Sequence, residues 1–291
     1  MNLYHYTDLN AVHSILDTHK IRMTDIRFLN DKSEYMQGLE ILREASLQES
    51  FIGSIKDSYF RDALQVWFER AFKELFDFKN ASEMFYVASF SRSSNTLSQW
   101  RSYGMFAIEF DYDEMEGNVR ERIIEHYNEH DKLLKIEFIE CHYVCDRDIA
   151  VKRALELINE KLIPTIEEWW RPYLPMNENE HIYIDVKEIL SMLATAFKHA
   201  SFIEEQEFRL VISDEIISEK INFRTKNNVL IPFYELDIIP GVITGVVIGP
   251  VENQKITAHS LDIYNSHRAT KLNDDRYRLS IIKSDIPYRM L

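Results

Sequence analysis

The stretch FIEEQEFRLVIS, Phe202 to Ser213, sets two carboxylates and a guanidinium at every second position of an otherwise apolar run. Extended backbone sends alternate side chains to opposite faces, so Glu205, Glu207, Arg209 and Val211 share one face. Gln206, Phe208, Leu210 and Ile212 are left for a core-facing side. Charges in that setting are costly unless they are paired or used. The plainer expectation is a solvated strand face carrying an internal ion pair. The alternative is a pocket edge. There one carboxylate steadies a developing positive charge or orients a hydroxyl, while the arginine holds the other carboxylate or a phosphate.

Three further stretches carry chemistry. In LYHYT the residues His5, Tyr6 and Thr7 follow one another at the start of the chain. In LSQWRSYG, read as a loop, Trp100 and Tyr103 can stack on a flat ring while Arg101 pairs with phosphate. Trp100 can equally plug the core beneath the loop. In HYNEH the H-x-x-E-H spacing places His126 and His130 one helical turn apart, as in a zinc site. That helix, VRERIIEHYNEHDK, is polar enough that a solvated surface helix is the better reading, and no metal is expected. Phosphate-loop, dinucleotide and G-x-S-x-G patterns are absent.

The balance of 34 Lys and Arg against 48 Asp and Glu gives a formal charge of −14. This argues against a broad nucleic-acid-binding surface, which needs clustered cations. Two cysteines, Cys141 and Cys145, read as reduced thiols. The start MNLYHYTD lacks a signal-peptide pattern, and no run is apolar and long enough for a bilayer span, so a soluble, cytoplasmic protein without membrane contact is expected.

The elements that must position these residues read as follows. Strands are expected at Leu3–Tyr6, Ile21–Thr24, Met84–Ser91, Met105–Asp111, in KIEFIECHYV, EFRLVIS, VLIPFYEL and GVITGVVIG, and last in YRLSIIK. Helical spacing marks Leu9–Leu16 after the cap candidates Thr7 and Asp8, the segment after Asp31-Lys-Ser-Glu34, Ile55–Phe78, Val186–Ala200 and a short piece near Thr257–Tyr264. Strands and helices mix without a βαβ rhythm, which favours an α+β fold. We read 1–291 as one domain with a helical insertion at about 112–200.

The series LYHYT, RFLND with Glu34, VASFS, LSQWRSYG, FxxExEFRLV, VVIGP and SDIPYR, in that order, resembles a widespread bacterial family of unknown function. That family in turn is similar to the ADP-ribosyltransferase fold, with its mixed, mainly antiparallel central sheet. The resemblance implies NAD as substrate, with His5 on the first strand contacting the ribose and Tyr6 and Thr7 beside it. It implies Ser89 or Ser91 on the next motif strand, and Glu207 orienting the nicotinamide ribose, with Glu205 acting toward the acceptor. Trp100, Arg101, Tyr103 and Arg209 become nucleotide contacts, and Tyr86 or Tyr103 stands in for a second tyrosine. Asn30 and Asp31 join the pocket on the resemblance alone, since their spacing to Glu34 already suits a helix cap. The implied activity is that of an NAD-dependent ADP-ribosyltransferase or NAD glycohydrolase, as a toxin or phage-defence effector. It would have an unidentified acceptor macromolecule and a neutralising protein partner. The alternatives are a catalytically idle nucleotide-binding sensor or an interaction module on the same fold.

Overall fold

A computed structural model of the chain describes residues 1–29, 32–77, 85–130, 135–171, 180–213, 220–272 and 278–286. In chain order the first elements are β1 (Asn2–Thr7), α1 (Leu9–Thr18), β2 (Lys20–Asp25), α2 (Lys32–Ser46), α3 (Glu49–Ser54), α4 (Ser58–Phe76) and β3 (Phe85–Ser91). Next come α5 (Leu97–Tyr103), β4 (Phe106–Asp111), α6 (Tyr112–His130), β5 (Lys135–Glu140), β6 (His142–Val144), α7 (Arg147–Leu157) and α8 (Ile163–Trp169). The last are α9 (Glu180–Ala194), β7 (Phe197–His199), β8 (Glu207–Ser213), β9 (Asn222–Lys226), β10 (Val229–Asp237), β11 (Ile243–Ile248), α10 (Gln254–Leu272) and β12 (Ser280–Lys283). The fold is α+β. Among the described residues no helix is long and apolar enough to cross a membrane.

The central sheet runs β12-β11-β4-β1-β3-β2-β10-β9, with β8 on the other side of β3 and β5 beyond it. Every pairing in it is antiparallel except β11 with β12. On one side β3 has two neighbours. Strand β1 meets it at Tyr4 opposite Ser91, and β2 meets it at Thr24 and Asp25 opposite Val87 and Tyr86. The sheet therefore forks along β3, with Ala88 to Phe90 at the crotch.

Alternation along the strands feeds two cores. Phe85 and Val87 of β3, Val211 of β8 and Ile139 of β5 pack under α2, α4, α7 and α9. Phe90, Leu210, Ile212 and Ile136 point the opposite way, into a core shared with α1, α6 and α10. Helix α1 begins as its sequence predicts, with the Asp8 carboxylate accepting from the Ala11 N–H at 2.9 Å. Along α4, Phe60, Leu64, Trp67, Phe68, Phe72 and Leu75 are buried, whereas Tyr59, expected on the same face, is exposed.

Three expectations change. LSQWRSYG is not a loop but helix α5, and the Thr257–Tyr264 piece is part of the 19-residue α10. KIEFIECHYV breaks at Cys141. β5 stays in the main sheet while β6 leaves it to pair in parallel with β7, because the His142 N–H bonds the Ala196 carbonyl. Residues 112–200 are woven into the body, since β5 extends the sheet and α7 and α9 pack on α2 and α4. The segments INFRTK and VLIPFYEL form a hairpin, β9–β10. Its turn residues Asn227 and Asn228 both have positive φ, 50° and 61°, the two-residue geometry asparagine tolerates well.

Close backbone approaches fix the helical layer. A Cβ at Gly38 of α2 would overlap the carbonyl of Ala194 at the end of α9, whereas at Gly53 of α3 it would meet nothing within 4 Å. Gly38→Ala should therefore cost about 1–3 kcal/mol through overpacking. Gly53→Ala should gain about 0.5–1 kcal/mol through helix propensity. Urea unfolding of the two variants checks the opposite signs.

Candidate functional site

Where β8 faces the helical layer, five ionisable side chains meet out of water. Glu207 and Arg209 project from β8, Lys198 from β7 and Glu34 from the first turn of α2. Glu205 ends the 3-10 turn Ala200–Glu205; all five are buried. The expected solvated face is wrong, since every residue of β8 is buried, but the ion pairing is present. The strand spans EFRLVIS as expected, so Glu205 lies before it rather than on it. Gln206 adopts φ 42°, a tight turn held by its N–H to the Ile203 carbonyl at 3.3 Å and by the Arg92 N–H to its own carbonyl at 3.0 Å. This turn lets Glu205 and Glu207 converge on one ammonium.

Arg209 donates through Nε to Glu207 Oε1 at 2.8 Å and through Nη2 to Glu34 Oε2 at 2.8 Å and Glu207 Oε2 at 3.1 Å. Its Nη1 donates to the Thr195 carbonyl at 2.8 Å. Lys198 Nζ donates to Glu205 at 2.7 Å and to Glu207, lies 3.8 Å from Glu34, and sits 4.9 Å from the Phe202 ring centre. The Glu207 N–H donates to the Tyr143 hydroxyl at 2.7 Å. Such a set satisfies each buried charge through several oriented partners, the condition under which burial is tolerable. Three carboxylates against two cations leave a formal charge of −1.

The carboxylates respond oppositely to this setting. Burial pushes the Glu207 pKa up, but Arg209 and Lys198 together outweigh it and hold the carboxyl at about 2. Burial also pushes up Glu205, and there Lys198 offsets it only in part, with Glu207 and Glu34 adding repulsion, so its pKa is raised. Lys198 would be lowered by burial, yet Glu207 and the other carboxylates keep it raised. The Cys141 thiol nearby is pushed up to about 12, chiefly by burial, and is inert as a nucleophile.

At the fork, His5 Nδ1 lies 2.9 Å from the Ser89 carbonyl oxygen. A carbonyl only accepts, so Nδ1 carries the proton and Nε2 is left as an acceptor. Burial lowers the His5 pKa, against a smaller raising effect of that hydrogen bond, and keeps the ring neutral. By register Tyr4, Ser91 and Glu207 lie in one row across β1, β3 and β8, and Glu109 of β4 extends it. His5 alternates to the other face, where its ring meets Phe90 with centres 5.8 Å apart. The structure thus brings Tyr4, rather than His5, onto the face of Glu207.

The remaining expected residues divide. The Tyr6 hydroxyl donates to the Ser93 carbonyl at 2.8 Å and accepts from the Thr96 N–H at 3.0 Å, bracing the loop after β3. The Ser91 hydroxyl donates to the Glu205 carbonyl at 2.6 Å and accepts from the Ser93 N–H at 3.0 Å. Ser89 is half-buried opposite Arg209. Trp100 has 0% exposure and packs its ring on Tyr6, so it offers no open face to a flat ligand. Arg101 and Tyr103 are exposed on α5, and Thr7 backs onto Gly104, whose φ of 130° and closeness to the Thr7 carbonyl exclude a side chain. Tyr86 is fully buried, with its hydroxyl pushed up to about 12 by burial and by Asp25. Asn30 and Asp31, and the side chains of His126 and His130, lie outside the described residues.

Three charged residues escaped the sequence reading as site members. Lys198 gives no local signal. Glu34 reads locally as a helix cap, yet its carboxylate binds Arg209, 175 positions along the chain. Glu109 accepts from Asn2 Nδ2 at 2.8 Å, Tyr4 at 2.9 Å and Thr244 at 3.0 Å; a carboxylate within FAIEFD was the available clue. No family model, curated protein or solved structure matches the chain.

Depression of Glu207 from 4.5 to about 2 corresponds to about 3 kcal/mol of stability. That contribution is full above the unfolded carboxylate pKa and is lost as pH falls through about 2. Glu207→Gln should cost about 3–5 kcal/mol at neutral pH, because it strands two buried cations, and the deficit should shrink below about pH 4.5. Glu205 has a raised pKa, so its contribution has the opposite sign and fades as pH rises. Glu205→Gln should leave neutral-pH stability equal or improved. Chemical denaturation of both variants across acid pH measures these differences.

Proposed function

We propose that this chain is an NAD-consuming enzyme of ADP-ribosyltransferase type, transferring ADP-ribose to an acceptor or to water. The observation that carries the reading is the adjacency of β1, β3 and β8. These strands bear the residues the resemblance assigns, and their register sets Tyr4, Ser91 and the ionised Glu207 in one row on one face, with a neutral His5 at the fork on the other. Cleavage of the nicotinamide–ribose bond develops positive charge on the ribose, as in glycoside hydrolysis. An ionised carboxylate bound to the ribose 2′-hydroxyl stabilises that charge. Glu207 stays ionised across the physiological range. In this reading it keeps its Arg209 hydrogen bonds while the substrate hydroxyl replaces Lys198, which retains Glu205. Tyr4, in the row of Glu207, is the β1 side chain able to meet the same ribose, and His5 supports β3 from the other face through its hydrogen bond to the Ser89 carbonyl. Arg209 is committed to carboxylates, which leaves Arg101 as the cation of choice for the pyrophosphate.

A second reading, an idle nucleotide-binding module, draws on one specific observation. Both oxygens of Glu207 are held by Arg209 and Lys198, as a structural carboxylate would be.

Nicotinamide release from NAD by the purified chain separates the two. Under the first reading the wild type releases nicotinamide, and Tyr4→Phe, folded by circular dichroism, reduces the rate by about 10²-fold, the scale of one lost polar contact to the transition state. Glu207→Gln abolishes it under conditions where that variant remains folded. NAD that raises the melting temperature without turnover supports the idle module. Neither release nor stabilisation at millimolar NAD removes both.

A further inference from the structure

The described sheet ends at β9, and all five β9 residues are exposed. An unpaired outer edge of this kind presents a row of backbone donors and acceptors to any extended chain. Its two faces differ in chemistry. By register Phe223 lies opposite Pro232 and Thr225 opposite Leu230, so Phe223 and Leu230 are diagonal neighbours on one face, each 62% exposed. Arg224 and Lys226 occupy the other face, and Arg224 Nη2 reaches across β10 to the Thr24 hydroxyl at 3.4 Å. Burial lowers the Arg224 pKa, and the neighbouring Arg22 lowers it further.

The charge of this edge runs against the rest of the molecule. Residues 220–234 hold Lys220, Arg224 and Lys226 and no carboxylate, in a chain of net charge −14. Arg22 is matched by Glu235 at 3.3 Å, whereas among the described residues no carboxylate pairs with Arg224 or Lys226. The acidic residues Asp214, Glu215 and Glu219 precede the hairpin and lie outside the described residues. Pairing of β9 with β9 of a second copy would set Arg224 and Lys226 against the same cations, which disfavours that pairing.

We propose that β9 is a docking edge for an extended segment of another protein in which acidic and apolar residues alternate. Added as the next strand, such a segment sets its carboxylates beside Arg224 and Lys226 and its apolar side chains beside Phe223 and Thr225, with Leu230 continuing the apolar face one strand further in. Backbone pairing supplies the adhesion, and the alternation fixes the register.

The probe is a capped, fluorescein-labelled peptide of alternating Glu and Val, followed by fluorescence polarisation with the full chain. Controls are a block peptide of the same composition and an alternating Lys and Val peptide. Saturable binding by the Glu-Val alternate is expected, with both controls weaker by about tenfold or more. The double variant Arg224→Glu with Lys226→Glu should lose the Glu-Val peptide and gain the Lys-Val one. Phe223→Ser with Leu230→Ser should weaken binding without charge exchange. These side chains are exposed, so unchanged melting curves verify folding. Absence of saturable binding, equal binding of the block peptide, or indifference to the charge reversal overturns the proposal. Sedimentation showing a dimer that the charge reversal dissolves assigns the edge to a second copy and overturns it too.

Discussion

A guanidinium taken out of water at Arg209 constrains more of this structure than any other group. Its desolvation is tolerable only with a full set of oriented acceptors, and these come from three separate elements. Glu207 stands two residues away on the same strand, Glu34 opens α2, and the Thr195 carbonyl follows α9. Satisfying one side chain therefore fixes where α2 begins, where α9 ends and how both sit against β8. Lys198 extends the set by tying β7 to the same carboxylates and, through Glu205, to the turn before β8. Removing either cation, or the Glu207 carboxylate that both share, leaves buried charge poorly matched, so this part of the cluster acts as a unit.

The second constraint is the fork in the sheet. Strands β1 and β2 both approach one side of β3, and neither covers the stretch between Val87 and Ser91. An uncovered carbonyl there needs a donor, and His5 supplies it to Ser89. The loop after β3 is then knit to distant segments. Tyr6 holds Ser93 and Thr96, Ser91 holds Glu205, and Asn95 binds both Asp285 and Ser284, at 2.6 and 2.5 Å. Much of the ordered series of sequence landmarks thus meets around this loop. Gly104 belongs to it as well, because α5 returns to β1 too closely for a side chain.

Legibility in the sequence followed the range of the interactions. Alternation found β3, β4, β8, β10 and β11, and helical spacing found α1, α2, α4 and α9, since each depends on neighbours within a few residues. Boundaries set from a distance were missed. KIEFIECHYV reads as one strand, and only the Ala196 carbonyl, far along the chain, draws His142 into a second sheet. LSQWRSYG reads as a loop because its helix is short and held by Trp100 in the core. The hairpin at β9 was overlooked although Asn227-Asn228 is a turn signal, because NFRTK lacks the apolar alternation of a half-buried strand; it is exposed on both faces. Within the candidate site, the pairing of Glu207 with Arg209 follows from spacing, while Glu34 and Lys198 do not, because nothing local records which carboxylate a distant cation meets.

Stability and the proposed chemistry draw on the same carboxylate. The cations that hold Glu207 ionised also occupy its oxygens, so any use of that carboxylate on a substrate must exchange one of their hydrogen bonds. Glu205 makes such an exchange feasible. It is the carboxylate least favoured in its charged form here, and it already shares Lys198 with Glu207. An ammonium drawn toward Glu205 offsets the burial and the lesser carboxylate repulsion that raise the Glu205 pKa, and uncovers one Glu207 oxygen, while Arg209 keeps its place in the fold. The extra carboxylate, which adds a formal negative charge that folding alone does not require, is then the group that reconciles a tightly held site with an available one.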